Sequence, residues 1–216
     1  MMEIRRREVW RYLGYQGAAP QAAEQQKIEA VIAQLQQAVV PRHIYSEKTC
    51  KVYEGGVEIE GKRFDSALLA RNLAGCERVI LIAATLGVEA DLRVRRYQAR
   101  SMAEAAIAQA VCAELLECYL DGVCQEIAQE KAKSGLFLRP RYSPGYGDLA
   151  LETQRDFFAL LDCARRLGVS LTEGNMMTPT KSITAFIGLS HTCRKSEKSG
   201  CQACGKRDCA FRNWES

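Results

Sequence analysis

Residues 78–84 read Arg78-Val79-Ile80-Leu81-Ile82-Ala83-Ala84, an apolar run in which no polar residue alternates. A run of this kind is typical of a β-strand that is covered on both of its faces. Gly87 ends the run, and the segment from Met102 to Lys131 that follows is rich in Ala, Glu, Gln and Leu. That composition and its helical spacing predict one long helix, which we expect to be the spine of the fold.

The rest of the chain predicts helices and strands in an irregular order. Further helices are predicted at residues 3–13, 28–39, 66–74, 90–99 and 152–167, and strands at 44–53, 57–64, 136–142, 169–172 and 182–189. The absence of a regular βαβ alternation favours α+β over a doubly wound sheet. We therefore expect a twisted, mainly antiparallel sheet flanked by helices, including one long central helix, in residues 1–192, with a Cys-rich C-terminal tail in residues 193–216.

The composition is that of an ordinary soluble globular protein, with 47% apolar and 26% charged residues among 216. The net charge of +4 is spread along the chain and predicts neither a nucleic-acid surface nor a membrane surface. The longest apolar run, Val79 to Val88, is too short to span a bilayer. The charged start, Met1 to Arg7, does not resemble a secretory signal, so we expect a cytoplasmic protein.

The ten cysteines fall into two groups. Six are scattered, mostly in apolar settings, and we expect them to be small buried hydrophobic residues: Cys50, Cys76, Cys112, Cys118, Cys124 and Cys163. The other four are Cys193, Cys201, Cys204 and Cys209, and their thiolates are suited to tetrahedral zinc or to an iron–sulfur cluster. A reduced tail without metal, or a disulfide formed during handling, is the alternative.

The segment from Arg139 to Asp148 is the strongest candidate for a ligand site. Pro144 favours an extended Ser143, whose backbone could read an adenine, and Gly145 can take positive φ in a type II turn or let a ligand approach the main chain. Arg141 could hold a carboxylate, and Tyr146 offers an aromatic face to an adenine or a sulfonium. The alternative is an ordinary strand-to-helix turn with solvated arginines.

Residues Arg141-Tyr142-Ser143-Pro144-Gly145-Tyr146 resemble the Arg-Pro-Xaa-Pro-Gly-Tyr motif of the activation domain of cobalamin-dependent methionine synthase, although Tyr142 replaces the first proline. Three more blocks are similar to members of that family, and the resemblance covers roughly residues 4–190. These blocks are Glu8 to Tyr15, Ala83 to Asp91 and Asn175 to Thr184. The resemblance implies that Arg141 binds the carboxylate of S-adenosylmethionine, that Ser143 and Gly145 make backbone contacts, and that Tyr146 is an aromatic neighbour.

The resemblance also implies a role. In the family, an inactive cobalt(II) corrinoid is reduced by an electron donor and then methylated by S-adenosylmethionine. A chain of 216 residues has no room beside this domain for the homocysteine, folate and cobalamin modules. We therefore expect action in trans on the cobalamin of methionine synthase or of another corrinoid protein. No catalytic acid or base is expected, and His43 and His191 are interpreted as structural or surface residues.

Two other functional classes stay open on the sequence alone. One is an independent S-adenosylmethionine-dependent methyltransferase, although the chain lacks the Gly-rich fingerprint of the Rossmann type. The other is an interaction protein that uses a metal-bearing basic tail on nucleic acid.

Overall fold

The computed structural model of the protein describes residues 3–15 and 18–192. These residues form seven α-helices, α1 to α7 in chain order: Arg6–Tyr12, Ala22–Ala38, Ala67–Asn72, Val88–Arg100, Met102–Ala132, Gln154–Leu161 and Cys163–Leu167. They also form eight strands, β1 to β8: Arg42–Tyr53, Gly56–Ile59, Lys62–Asp65, Arg78–Thr85, Phe137–Leu138, Ser170–Leu171, Met177–Thr178 and Ser182–Ser190. Ser101 caps α5, since its hydroxyl accepts a hydrogen bond from the backbone N–H of Glu104 at 3.3 Å.

Six of the strands form one antiparallel sheet in the order β3-β2-β1-β4-β8-β5. The predicted buried strand is β4, and it pairs along its length with β1 on one side and β8 on the other. The remaining strands, β6 and β7, form a separate antiparallel pair. A Rossmann-type methyltransferase is built on a mainly parallel sheet, and this sheet is of a different kind.

Alternate residues of β4 enter two hydrophobic cores on opposite faces of the sheet, which confirms that the strand is covered on both sides. Ile80 and Ile82 face the core formed with α1, α2, α4 and α5. Val79 and Leu81 face the core formed with the β2–β3 hairpin, α3, α6 and α7. The long helix α5 contributes buried residues to the first core from Ala105 to Ile127.

The predicted α+β fold with one long central helix is confirmed, and three local predictions differ from the structure. The strand predicted at 57–64 is a hairpin, β2 and β3, because Glu60 and Gly61 both take positive φ and turn the chain. The helix predicted at 152–167 is divided at Asp162, whose φ of 53° is left-handed. The extended segment at 136–142 forms only the short strand β5 and a single bridge from Tyr142 to Phe186.

A search of the described residues finds no helix that is both long enough and apolar enough to cross a membrane.

Candidate functional site

The motif segment, Arg141 to Tyr146, forms a tight turn beside the edge of the sheet, which we call the motif turn. Tyr142 is bound to Phe186 of β8 through two backbone hydrogen bonds, of 3.0 and 2.8 Å. The N–H of Tyr146 then donates to the carbonyl of Ser143 at 3.1 Å, and Gly145 has a φ of 86°. Proline at the second position and positive φ at the third are typical of a type II turn, as the sequence predicted. The turn therefore has a fixed position relative to β8.

A cleft of about 500 Å³ opens beside this turn. Three separate parts of the chain line most of it: the motif turn, the α5 residues Ala113, Leu116 and Glu117, and a segment from Asn175 to Thr184. We call this the motif cleft. Its volume is within the usual range for sites that bind a small molecule.

Carboxylates of α5 surround the guanidinium of Arg141 in the cleft wall. Its Nη2 lies 2.8 Å from Oε2 of Glu117 and 2.9 Å from Oδ1 of Asp121. Asp121 also pairs with Arg5, at 3.0 Å, and Nε of Arg5 lies 2.6 Å from Oε1 of the buried Glu114. The other terminal nitrogen of Arg141, Nη1, is buried without a hydrogen-bond partner in the described part of the chain. Arg141 is thus strongly paired before any ligand arrives.

A second cation, Lys181, lines the same cleft from the segment that leads into β8. Its Nζ donates to the backbone carbonyl of Gln109 in α5 at 3.3 Å. The preceding residue, Thr180, is held by Asp91 of α4, whose carboxylate accepts hydrogen bonds of 2.9 Å from the backbone N–H and 2.5 Å from the hydroxyl. Burial lowers the pKa of Lys181 below its usual value, and the negative charge of the Asp91 carboxylate opposes that shift.

Aromatic and thioether side chains supply the apolar surface of the cleft. Tyr12, Tyr142 and Tyr146 line it together with Met176 and Met177. Burial raises the pKa of Tyr12, so its phenol is neutral at physiological pH. Tyr146 and Met176 are 70% and 62% exposed, which places two large apolar side chains at the rim. Such a wall is suited to a flat ring or to a sulfonium group.

The structure brings together three of the four residues predicted to bind a ligand. Arg141, Ser143 and Tyr146 line the cleft, whereas Gly145 supports the turn and donates its own N–H to the carbonyl of Leu149 at 2.9 Å. A side chain at Gly145 would meet Leu151, which also lines the cleft.

Sequence reasoning did not single out several polar residues of the wall, among them Tyr12, Glu117 and Lys181. Tyr12 and Lys181 lie in the blocks that resemble the family, so their positions carried a signal. Glu117 carried no such signal, because in the sequence it cannot be distinguished from any other half-exposed residue of a long helix.

The scattered cysteines are free thiols within the described residues. Four of the six are buried, as predicted, but Cys118 and Cys124 are only half-buried, which the prediction did not anticipate. Burial raises the pKa of Cys50 and Cys163 to about 12 and of Cys112 to about 11, so these thiols are poor nucleophiles. His43 contacts the hydroxyl of Tyr119 through Nδ1 at 2.7 Å, and His191 is exposed; neither histidine lines the motif cleft.

The predicted metal ligands Cys193, Cys201, Cys204 and Cys209 lie outside the described residues. Among the residues that are described, no group of three or more His, Cys, Asp or Glu side chains is arranged to hold a metal ion.

Comparison with known proteins gives two matches that bear on this site. A family model described as vitamin B12 dependent methionine synthase, activation domain, matches residues 72–201. The fold is similar to a crystal structure of the MetH reactivation domain bound to AdoHcy, with a TM-score of 0.64 and 14% sequence identity, over 88% of this chain and 76% of that chain. No curated protein sequence matches the chain.

Proposed function

Because this chain belongs to the family of vitamin B12 dependent methionine synthase activation domains, we propose that it binds S-adenosylmethionine in the motif cleft and supports reductive methylation of a partner's corrinoid. One observation carries the proposal. The motif turn and two of the other blocks that resemble the family, through Tyr12 and through Asn175 to Thr184, meet around a single cleft. The similar MetH reactivation domain was crystallised with AdoHcy, and this supports the same class of ligand here.

The chemistry of the wall fits S-adenosylmethionine. The ligand carries a carboxylate, an ammonium group, a sulfonium and an adenine ring. Tyr146 and Met176 offer apolar surface to the ring or the sulfonium, and Glu117 is a carboxylate that could attract a cationic group. Two cations line the cleft and either could receive the ligand carboxylate: Arg141, to which the family resemblance assigns it, and Lys181.

The task of the chain in this proposal is positioning. The methyl group passes from the sulfonium sulfur to a cobalt(I) nucleophile, the C–S bonding electrons stay on sulfur, and no proton moves. The motif turn and β8 hold one wall of the cleft in place, so the ligand can be oriented without a loop having to fold first. No histidine is required, which agrees with the location of His43 and His191 outside the cleft. An electron donor supplies the one electron that reduces cobalt(II).

The partner proposed is a cobalamin-binding methionine synthase or another corrinoid protein, and the chain would act on it in trans in the cytoplasm. The exposed rim residues Tyr146 and Met176 support this proposal, because large apolar side chains at the mouth of a site are suited to being covered by another surface.

Reactivation of an oxidised corrinoid protein tests the proposed function. The partner in its cobalt(II) form is incubated with a reductant and S-adenosylmethionine, with and without this chain, and methylation is followed by the visible spectrum. We expect methylation that depends on the chain and is lost when S-adenosylmethionine is omitted. Equal methylation in the absence of the chain would contradict the proposal.

The four cysteines of the tail, Cys193, Cys201, Cys204 and Cys209, are proposed as a separate zinc or iron–sulfur site. Anaerobic zinc and iron analysis of the wild type and of the Cys201→Ser and Cys204→Ser variants tests this proposal. We expect one metal site that is lost in both variants, and equal metal content in all three proteins would rule it out.

A further inference from the structure

One block that resembles the family, Ala83 to Asp91, lies wholly within the described residues and contributes no side chain to the motif cleft. It covers the end of β4 and the first turn of α4. Three consecutive residues of the cleft wall, Thr180, Lys181 and Ser182, are hydrogen-bonded to it. The block therefore contacts the wall without being part of it.

The wall residues that the block contacts have little regular structure of their own. Residues 179–181, all of them described, lie between β7 and β8 and belong to no helix or strand. Backbone groups outside such elements need other hydrogen-bond partners. The block supplies them, because the N–H of Leu86 and the hydroxyl of Thr85 both donate to the carbonyl of Lys181, at 2.9 and 3.3 Å.

The hydroxyl of Thr85 joins the end of β4 to the start of α4 as well as to the wall. It accepts a hydrogen bond of 3.0 Å from the N–H of Gly87, which is the N-cap of α4, and it lies 2.8 Å from the hydroxyl of Ser182. Thr85 is buried, so water does not compete for these contacts. The first turn of α4 therefore has a fixed place relative to the wall.

Asp91, in that first turn, makes the closest contact with the wall. Its Oδ2 accepts a hydrogen bond of 2.9 Å from the backbone N–H of Thr180, and its Oδ1 accepts one of 2.5 Å from the hydroxyl. Hydrogen bonds to an ionised group are stronger than those between neutral groups. Two such bonds fix both the position and the orientation of Thr180, and the adjacent Lys181 is placed with it.

We infer that Asp91 is a positioning residue of the motif cleft. It acts without touching the ligand, because it holds Thr180 and so keeps the wall from Thr180 to Ser182 in the shape that binds. This inference rests on the proposed function, under which the ligand is S-adenosylmethionine. It also gives a role to the block Ala83 to Asp91.

Two amide substitutions on the same helix test the inference. Asp91→Asn keeps the size of the side chain but replaces one acceptor oxygen by an NH2 donor, so it cannot accept both bonds from Thr180. The matched control is Glu89→Gln, which also removes a carboxylate from the first turn of α4. It loses only the 2.6 Å pair with Arg93, and neither residue of that pair lines the cleft. Both variants lose a favourable charge at the helix N-terminus, so they differ in the contact with Thr180.

Hydrogen exchange of the ligand-free protein, read by mass spectrometry, tests the contact itself. We expect the amides of residues 175–184 to exchange about 10-fold faster in Asp91→Asn and at the wild-type rate in Glu89→Gln, since losing a charge-assisted hydrogen bond makes local opening easier. Asp91→Ala, which loses both bonds, should show a larger change in the same direction.

Calorimetry tests the consequence for the ligand, at a temperature where thermal melting shows every variant to be folded. We expect the Kd for S-adenosylmethionine to rise about 10-fold in Asp91→Asn and to stay unchanged in Glu89→Gln. A general loss of stability leaves the affinity of the folded protein as it was, so this measurement isolates positioning.

Unchanged exchange or unchanged affinity in Asp91→Asn overturns the inference, and binding to the wild type then leaves the proposed function standing. Equal losses in Asp91→Asn and Glu89→Gln also overturn it, because the effect would come from the charge of α4 and not from Thr180. Absence of S-adenosylmethionine binding to the wild type overturns the proposed function, and the role of Asp91 with it.

Discussion

Replacing Gly145 by alanine tests whether the motif turn positions the ligand. Gly145 has a φ of 86°, a conformation that costs an L-residue roughly 1–2 kcal/mol. An added Cβ would also lie 3.2 Å from Cδ1 of Leu151, which lines the cleft. The side chain of Leu151 must give by a few tenths of an ångström, and the turn must adjust. We expect a loss of about 1–2 kcal/mol in the free energy of unfolding and a weaker affinity for S-adenosylmethionine.

Gly135→Ala is the matched control for this variant. Gly135 also has positive φ, 69°, but a Cβ there meets no atom within 4 Å, and the residue follows α5 outside the cleft. It should lose a similar amount of stability, seen as a melting temperature about 2–4 °C lower per kcal/mol. Calorimetry should show about 10-fold weaker binding for Gly145→Ala, corresponding to about 1.4 kcal/mol, and unchanged binding for Gly135→Ala. Equal affinities of the two variants would refute the proposed role of the turn.

Two further outcomes follow from the contacts described. Arg5→Met leaves the buried carboxylate of Glu114 without its ion pair and should lower the free energy of unfolding, measured in urea, by about 2 kcal/mol. The control Arg6→Met loses only an exposed pair with Glu29 and should lower it by less than about 1 kcal/mol. Similar losses in the two variants would show that the burial of Glu114 is unimportant. Thr184→Val leaves Oε1 of buried Gln154 without its 2.9 Å hydrogen bond and should cost roughly 1–3 kcal/mol in the same assay, and a neutral result would be inconsistent with that bond.

The elements with a strong local signal were predictable from the sequence. The β4 segment is apolar throughout, as expected for a strand that is buried on both faces. The apolar residues of α5 recur at helical spacing, as expected for a helix that is buried along one side. The two patterns differ, so each identifies its element. The division of the helix at Asp162 was not predicted, because a single aspartate does not by itself end a helix, although it is a poor helix former that can take left-handed φ. The β2–β3 hairpin had a clearer signal in the sequence, because Gly61 favours a turn.

The candidate site was predictable in its position but not in its electrostatics. The motif from Arg141 to Tyr146 identifies the turn, since Pro144 and Gly145 carry their own conformational preferences. Nothing in the sequence indicates that Arg141 is paired with Glu117, because that contact depends on how α5 lies against the motif turn. For the same reason, the hydrogen bond from Lys181 to the backbone carbonyl of Gln109 becomes visible only once the cleft has been assembled.

Titration calorimetry of the full chain with S-adenosylmethionine tests the central claim most directly. Binding of one ligand per chain, weakened in Gly145→Ala but not in Gly135→Ala, is the result we predict, since the claim locates the ligand in the motif cleft. No heat of binding to the intact protein at millimolar ligand would contradict it.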